Sequence, residues 1–165
     1  MKQRMEKCFK DGWDAEKRFI NSYLTHIKYP TKQQDIYEHW DVQGVCIKIS
    51  DKELKFDIKS SGKLREFNHK EPLKEVWVEG KNISGNDGWL RGIADYIVFE
   101  REQTWFIVNR KDLLELTITK LKENNYKTGK GIYLISTRRG RKDKITQVPF
   151  TDMETIEHYQ LLKRN

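Results

Sequence analysis

The triplet Asp57-Ile58-Lys59 consists of an acid and a lysine separated by one residue. It ends a segment in which apolar and polar residues alternate. Side chains alternate across a β-strand, so Asp57 and Lys59 share one face and Ile58 takes the other. Asp41 opens the preceding apolar segment, and a hairpin would bring the carboxylates of Asp41 and Asp57 together around one cation. Two carboxylates and a lysine arranged in this way could hold a divalent metal beside a phosphate.

Residues 40–59 must form a β-hairpin if these side chains are to meet. An apolar run precedes a polar turn at residues 50–53, and residues 54–59 then alternate. The run consists of Val42, Val45, Ile47 and Ile49. The alternation predicts that Leu54, Phe56 and Ile58 occupy the buried face.

The spacing of apolar residues in residues 2–28 predicts a single amphipathic helix, and this helix could supply a third carboxylate. Its apolar stripe consists of Met5, Phe9, Trp13, Ile20, Leu24 and Ile27. Glu16 falls within that stripe, where a carboxylate is costly unless it is paired or bound to a metal. A salt bridge to a nearby lysine would explain Glu16 by itself. Beside an acidic hairpin, however, Glu16 becomes the natural third ligand.

The acid-x-Lys triplet also occurs at Glu53-Leu54-Lys55 and at Glu79-Gly80-Lys81. Glu53 belongs to a turn and lacks the apolar flank that would bury a site. Glu79 ends a predicted strand at residues 75–79 and remains an alternative, with Asp57 as its upstream acid. A similar arrangement at Asp95 and Asn109-Arg110-Lys111 has Asn where a carboxylate is required.

Composition favours an anionic partner, since the net charge is +7 and the pI is about 9.3. Two cysteines and four scattered histidines show no zinc or disulfide spacing. The first residues contain no apolar signal core, and no run is long enough to span a membrane. We therefore expect one cytoplasmic domain over residues 1–165 and no membrane partner.

Basic residues cluster in a loop at 60–74, in a glycine-rich segment at 80–92 and at 137–144. The glycine-rich segment lacks the Walker A and GxGxxG patterns, so it could approach a sugar-phosphate backbone, stack Trp89 on a base, or form only a tight turn. The candidate phosphate contacts, which become DNA contacts if the partner is DNA, are Lys63, Arg65, Lys70, Lys81, Arg91, Arg138, Arg139, Arg141 and Lys142. The other interpretation of such charges is a solvated face.

The remaining chain predicts strands at residues 93–100, 104–109 and 132–136, and a helix at 111–124. Thr151 could cap a final helix carrying Ile156, Tyr159 and Leu162, with Glu154 completing a capping box. Helices and strands therefore mix along the chain, which indicates the α/β class.

Glu16 on a first helix, Asp41 opening a hairpin and Asp57-x-Lys59 on the next strand together resemble the PD-(D/E)XK nuclease superfamily. Within it, the chain is most similar to archaeal-type Holliday junction resolvases and small phage endonucleases. The resemblance covers residues 10–60, and beyond them only the order of elements. Here His39-Trp40 stands where the family name has Pro, and Asp57 stands in place of Glu.

The resemblance implies a single nuclease domain with a restriction-endonuclease-like core, a central mixed β-sheet flanked by helices. It also implies that Asp41, Asp57 and the Ile58 carbonyl bind Mg²⁺ or Mn²⁺ and that Glu16 completes the shell directly or through water. Lys59, expected to lie too far from the carboxylates to be merely a counter-ion, would orient the attacking water or stabilise developing charge.

The expected activity is phosphodiester hydrolysis in DNA, selective for branched DNA such as four-way junctions and acting in recombination. Two strand scissions with one metal site per chain predict a twofold homodimer. The alternatives are a restriction-like or nicking endonuclease on linear DNA, and a non-catalytic nucleic-acid-binding protein on the same fold.

Overall fold

Helices and strands mix along the chain, as the sequence predicts. The computed structural model describes residues 2–60 and 74–164, and of residues 2–9 it describes the backbone alone. The elements before the gap are α1 (Lys2–Tyr23), β1 (Thr25–Lys28), α2 (Lys32–Glu38), β2 (Val42–Val45) and β3 (Glu53–Lys59). Those after it are β4 (Glu75–Lys81), a 3₁₀ helix (Trp89–Arg91), β5 (Tyr96–Glu100), β6 (Thr104–Asn109), α3 (Arg110–Glu123), β7 (Lys144–Pro149), α4 (Phe150–Met153) and β8 (His158–Leu162).

Six strands form a mixed sheet in the order β1-β2-β3-β5-β6-β8. Strands β3 and β5 run parallel, and the other described neighbours in this sheet are antiparallel. Strands β4 and β7 pair separately as an antiparallel ribbon. Helices flank the sheet, so the predicted α/β fold with a central mixed sheet is confirmed. The finer expectation of a restriction-endonuclease-like core stays a prediction.

Strands β5 and β6 are buried on both faces, which explains why their sequences are almost continuously apolar. One face packs against α1 through Phe19, and the other packs against α3 through Leu113. The parallel register places Asp57 beside Ile97 and Lys59 beside Phe99, residues that belong to the α3 side. The acid and the lysine therefore lie on the face opposite α1.

The predicted hairpin is confirmed, with Val42 opposite Phe56 in antiparallel register. Its apolar face is also confirmed, because Phe56 and Ile58 are buried beneath α1 and Leu54 is partly buried there. The first strand is shorter than the apolar run indicates. It ends at Val45, and Ile47 lies in the following turn with 75% of its surface exposed.

Helix α1 ends at Tyr23, so the prediction of one helix through residue 28 is wrong. Residues Thr25–Lys28 form β1 instead, because pairing with β2 satisfies their backbone and His26 adopts a positive φ that a helix excludes. The buried stripe also differs, since Trp13 is 68% exposed. Its described members are Ala15, Phe19 and Ile20, followed by Leu24 just past the helix.

Residues 31–39 are mostly polar in sequence and contain the short helix α2. Thr31 and Gln34 form a reciprocal capping box, in which each side chain accepts a hydrogen bond from the other residue's backbone N–H. The capping box therefore explains why a helix begins in a segment whose polar composition does not indicate one.

The C-terminal elements differ most from the predictions. Residues 132–136 make only isolated bridges, and Tyr133 has a positive φ that interrupts a strand. The final helix stops at Met153, and Thr151 does not cap it. Residues His158–Leu162 instead form β8, because antiparallel pairing satisfies the edge of β6 and packs Tyr159 and Leu161 against the core.

Candidate functional site

Strand β3 places Asp57 and Lys59 side by side on one face. Lys59 Nζ lies 2.5 Å from Asp57 Oδ1. The prediction that this lysine is too far from the acids to be a counter-ion is therefore wrong, since a long side chain spans two strand positions on the same face. Asp57 is only 2% exposed, and its Oδ2 has no hydrogen-bond partner in the described part of the chain.

Asp41 immediately precedes β2 and faces the same point of β3. Its backbone N–H donates to the Phe56 carbonyl at 2.8 Å, and its Oδ2 accepts from the Ile58 N–H at 2.6 Å. Burial and then the charge of Asp57 raise the pKa of Asp41 to about 8, although Lys59 and the Ile58 N–H act to lower it. The structure thus brings the two predicted acids together, and in the absence of a cation the charge of Asp57 favours the protonated form of Asp41.

Glu16 approaches the same centre from α1. Burial and then the charge of Asp41 raise its pKa to about 7, although the charge of Lys59 acts to lower it. Among the described side chains Glu16 forms no ion pair, so the salt bridge offered as the simpler explanation is not observed there. Glu16 lies close enough to interact electrostatically with both Asp41 and Lys59.

The donor set fits a hard cation that retains part of its water shell. Across the described residues, no three Asp, Glu, His or Cys side chains converge into a preformed metal cage. Asp41 and Asp57 instead form a pair, and the partnerless Asp57 Oδ2 is a buried oxygen that a cation would satisfy. Mg²⁺ is commonly held by one or two carboxylates and several waters, which matches this pair.

Lys59 connects the acids to Trp89 in the glycine-rich segment. Its Nζ lies 5.0 Å from the centroid of the Trp89 ring, within cation–π range. Burial lowers the pKa of Lys59, but the charges of Asp57 and Asp41 outweigh burial and leave the pKa raised. The lysine is therefore held in its protonated form.

Glu79, the alternative acid, lies next to this centre without joining the pair. Burial raises its pKa, and the charges of Arg138 and Lys59 lower it in part. Its Oε2 lies 3.6 Å from Arg138 Nη2. Lys81, the lysine of the same triplet, does not lie at this centre. A register shift separates the two, and Lys81 and Arg91 line a different cavity of about 260 Å³.

The basic cluster at residues 138–142 is exposed and borders the centre through Glu79. Within the cluster, Arg138 donates from Nε to Asp143 Oδ2 and from its backbone N–H to Asp143 Oδ1, which offsets its charge. Arg139, Arg141 and Lys142 remain exposed candidates for phosphate contact. The predicted contacts Lys63, Arg65 and Lys70 lie outside the described residues.

A cleft of about 910 Å³ lies beside the acid–lysine centre. Glu79 and Trp89, which both interact with Lys59, line the cleft together with Arg138 and Arg139. Trp77 also lines the cleft and was missed in the sequence. The available signal was strand alternation, which puts Trp77 on the same face of β4 as Glu79.

No family model, curated protein or solved structure matches this chain. The superfamily resemblance therefore stays a prediction. The described helices include none with both the length and the apolar character needed to cross a membrane.

The centre combines two close carboxylates, a third nearby, and a protonated lysine on the rim of a basic cleft. Such a centre can bind a hard cation and a phosphate together, with the lysine donating to an anionic oxygen. A divalent ion held by such carboxylates beside a phosphate would be placed for metal-assisted chemistry.

Proposed function

We propose that this chain is a Mg²⁺- or Mn²⁺-dependent endodeoxyribonuclease of the PD-(D/E)XK type, which hydrolyses phosphodiester bonds in DNA. The observation that carries the proposal is the environment of Asp57. One oxygen contacts Lys59, the other is buried and by its geometry has no hydrogen-bond partner among the described residues, and the charge of Asp57 opposes ionisation of the nearby Asp41 by repulsion. A divalent cation would satisfy the free oxygen and relieve the repulsion.

In this proposal Asp41, Asp57 and the Ile58 carbonyl hold the cation, with Glu16 acting through a water. When bound, the ion supplies a nucleophilic water at neutral pH and neutralises charge on the phosphate. Asp41 must lose its proton before it can act as a ligand, so binding is favoured as the pH rises towards its pKa of about 8.

Lys59 would place its ammonium group against a phosphate oxygen or the attacking water. The Trp89 ring and Asp57 hold the ammonium in a defined position, so little reorganisation is needed when the substrate binds. Its raised pKa supports a role as a hydrogen-bond donor rather than as a base.

The finer proposal is a twofold homodimer that cuts branched DNA. It rests on the need for two scissions and on one centre per chain. The net charge of +7 supports DNA as the partner but does not choose its shape. A matched panel of four-way junction, flap, linear duplex, single strand and RNA, with sedimentation of the complexes, tests this finer statement.

The direct test is cleavage of DNA with Mg²⁺ and with EDTA, using wild type and Asp57→Asn. We expect Asp57→Asn to abolish cleavage and to retain DNA binding, and Glu16→Gln to be milder. Asp51→Asn is the matched control, because Asp51 is an exposed acid in the turn of the same hairpin. Metal-independent binding with no cleavage by wild type would favour the non-catalytic alternative. Full activity in Asp57→Asn would indicate that Glu79, and not Asp57, is the metal ligand.

A further inference from the structure

Two indole rings line the cleft beside Lys59. Trp77 stands on β4 on the same face as Glu79, opposite Gln147 of β7, and 38% of its surface is exposed. Trp89 is half-buried and packs edge-to-face on Phe99, with ring centroids 6.2 Å apart. Partial exposure of an aromatic ring in a concave site leaves a stacking surface available to a ligand.

Another part of the lining is a basic wall, and backbone hydrogen bonds fix its shape. Ser136 and Ile145 exchange two bonds, at 2.8 and 3.0 Å, and the Gly129 N–H donates to the Ile135 carbonyl at 3.0 Å. Lys130 and Arg139 line this wall and form no ion pair with any described carboxylate. The wall therefore presents positive charge that an anionic ligand can use.

Glu79 is the acid that lines the cleft, and its charge does not oppose an anion strongly. Arg138 lies 3.6 Å from its carboxylate, and Lys59 interacts with it from the other side. The lining as a whole therefore combines aromatic surface with a positive balance of charge. This combination is typical of sites that stack nucleobases and bind their phosphates.

We propose that the cleft binds one unpaired nucleotide of the DNA substrate, next to the phosphate that is cut. The base would stack on the indoles of Trp77 and Trp89, and its phosphate would lie against Lys130 and Arg139. This inference rests on the proposed nuclease function, because Trp89 joins the cleft to Lys59.

A paired base does not fit this description, since its faces are covered by neighbours in the stack. Only a nucleotide that has left the duplex exposes the faces that an indole contacts. The cleft volume of about 910 Å³ lies within the range of roughly 300–1,000 Å³ for small-ligand sites, which accommodates a base with its sugar and phosphate. The cleft thus selects DNA with an unpaired nucleotide beside the cleavage point.

Binding in EDTA tests the cleft separately from catalysis. The probes are a fully paired duplex and the same duplex with one extra 2-aminopurine nucleotide as a bulge. Wild type is expected to bind the bulged probe more tightly and to quench its fluorescence by stacking. Trp77→Ala should weaken binding of the bulged probe about 10-fold and leave the paired duplex unchanged. Trp77→Phe should keep most of the preference, and Trp13→Ala, at an exposed tryptophan on α1, should keep all of it.

Equal affinity of wild type for both probes, or equal weakening of both by Trp77→Ala, overturns the proposal. Circular dichroism of each variant checks that its fold is intact, and Trp77→Phe supplies a second reading if Trp77→Ala is unfolded. If the bulge preference is absent but wild type cleaves DNA with Mg²⁺, the nucleotide-binding role of the cleft is rejected and the nuclease function is retained. Bulge preference without any cleavage retains the cleft and rejects the nuclease.

Discussion

Burial and the nearby charge of Asp57 disfavour the charged form of Asp41, and burial and the charge of Asp41 disfavour that of Glu16. The pKa of Asp41 is raised from 3.8 to about 8, and that of Glu16 is raised from 4.5 to about 7. Because each acid has a higher pKa in the folded state, the folded state binds more protons than the unfolded state at any pH between the two pKa values of that acid. The charged site therefore destabilises the metal-free protein.

We predict that, in EDTA, the free energy of unfolding falls as the pH rises from about 4 to about 8. The stabilising effect is complete below the unfolded pKa values and is lost as the pH passes through the folded ones. Urea denaturation at a series of pH values measures it. Asp41→Asn should flatten the profile and Asp51→Asn should not. Added Mg²⁺ should restore stability near pH 8, and a flat wild-type profile would contradict the prediction.

Lys59 gives a second prediction at this scale. Lys59→Met should lower kcat about 10²–10³-fold, because it removes one positioned donor, and should leave Mg²⁺ affinity within a few-fold of wild type. Single-turnover cleavage and metal titration measure the two effects. Lys55→Met is the control, since Lys55 lies on the same strand and interacts with Glu38 and Trp40 instead. Equal losses in both variants would indicate a general effect on the strand.

Alternation and hairpin geometry were sufficient to predict that Asp41, Asp57 and Lys59 lie together, whereas Glu16 was singled out by an apolar helical stripe whose predicted members differ from the buried ones. The contact between Lys59 and Asp57 could not be predicted, because a lysine side chain can reach many positions and packing selects one. Trp77 was missed because its role depends on residues 128–139, which are far away in the sequence.

At the scale of elements, α1 is attached to the sheet mainly by a few aromatic contacts. Phe19 is fully buried, and its ring lies 5.2 Å from that of Trp105 and 5.8 Å from that of Phe56. These contacts hold the helix that carries Glu16. The position of the third carboxylate therefore depends on packing on the face of the sheet opposite the acid pair.

Phe19→Ala should lower the free energy of unfolding by about 3–5 kcal/mol, because it leaves a cavity between α1 and the sheet. Trp13→Ala, on the exposed side of the same helix, should cost less than about 1 kcal/mol. Chemical denaturation followed by circular dichroism distinguishes them. Similar losses in the two variants would mean that α1 contributes to stability through something other than this packing.

Elements set by local signals were predicted well, and those set by long-range pairing were not. The second strand of the hairpin follows alternation, β6 is a short continuous apolar run, and α3 follows helical periodicity. In the segment that contains β8, apolar residues recur every three positions at Ile156, Tyr159 and Leu162, and this spacing also suits a helix. The unpaired edge of β6 decides between the two states, and that edge exists only in the folded sheet.

For the whole molecule, the balance of charge predicts how DNA binding depends on salt. Replacing Arg139 and Arg141 by Gln should reduce the slope of log affinity against log salt by about two, since each lost phosphate contact removes roughly 0.9. Replacing Lys48 and Lys52, near the turn of the hairpin, changes the net charge equally and should leave the slope unchanged. Fluorescence anisotropy from low to physiological salt measures both. Identical slopes in the two doubly substituted proteins would make the cluster a solvated face.

The short strand β1 has a consequence for the behaviour of the protein at high concentration. It has four residues and a register shift, and its partner Gly44 lets the Thr25 carbonyl approach so closely that a Cβ there would meet it at 2.9 Å. A bulged, short edge with lysine at its end is a poor template for another chain's strand. Growth of the sheet beyond β1, the first step towards aggregates or fibrils, is therefore disfavoured by the short length and irregular register of that edge strand.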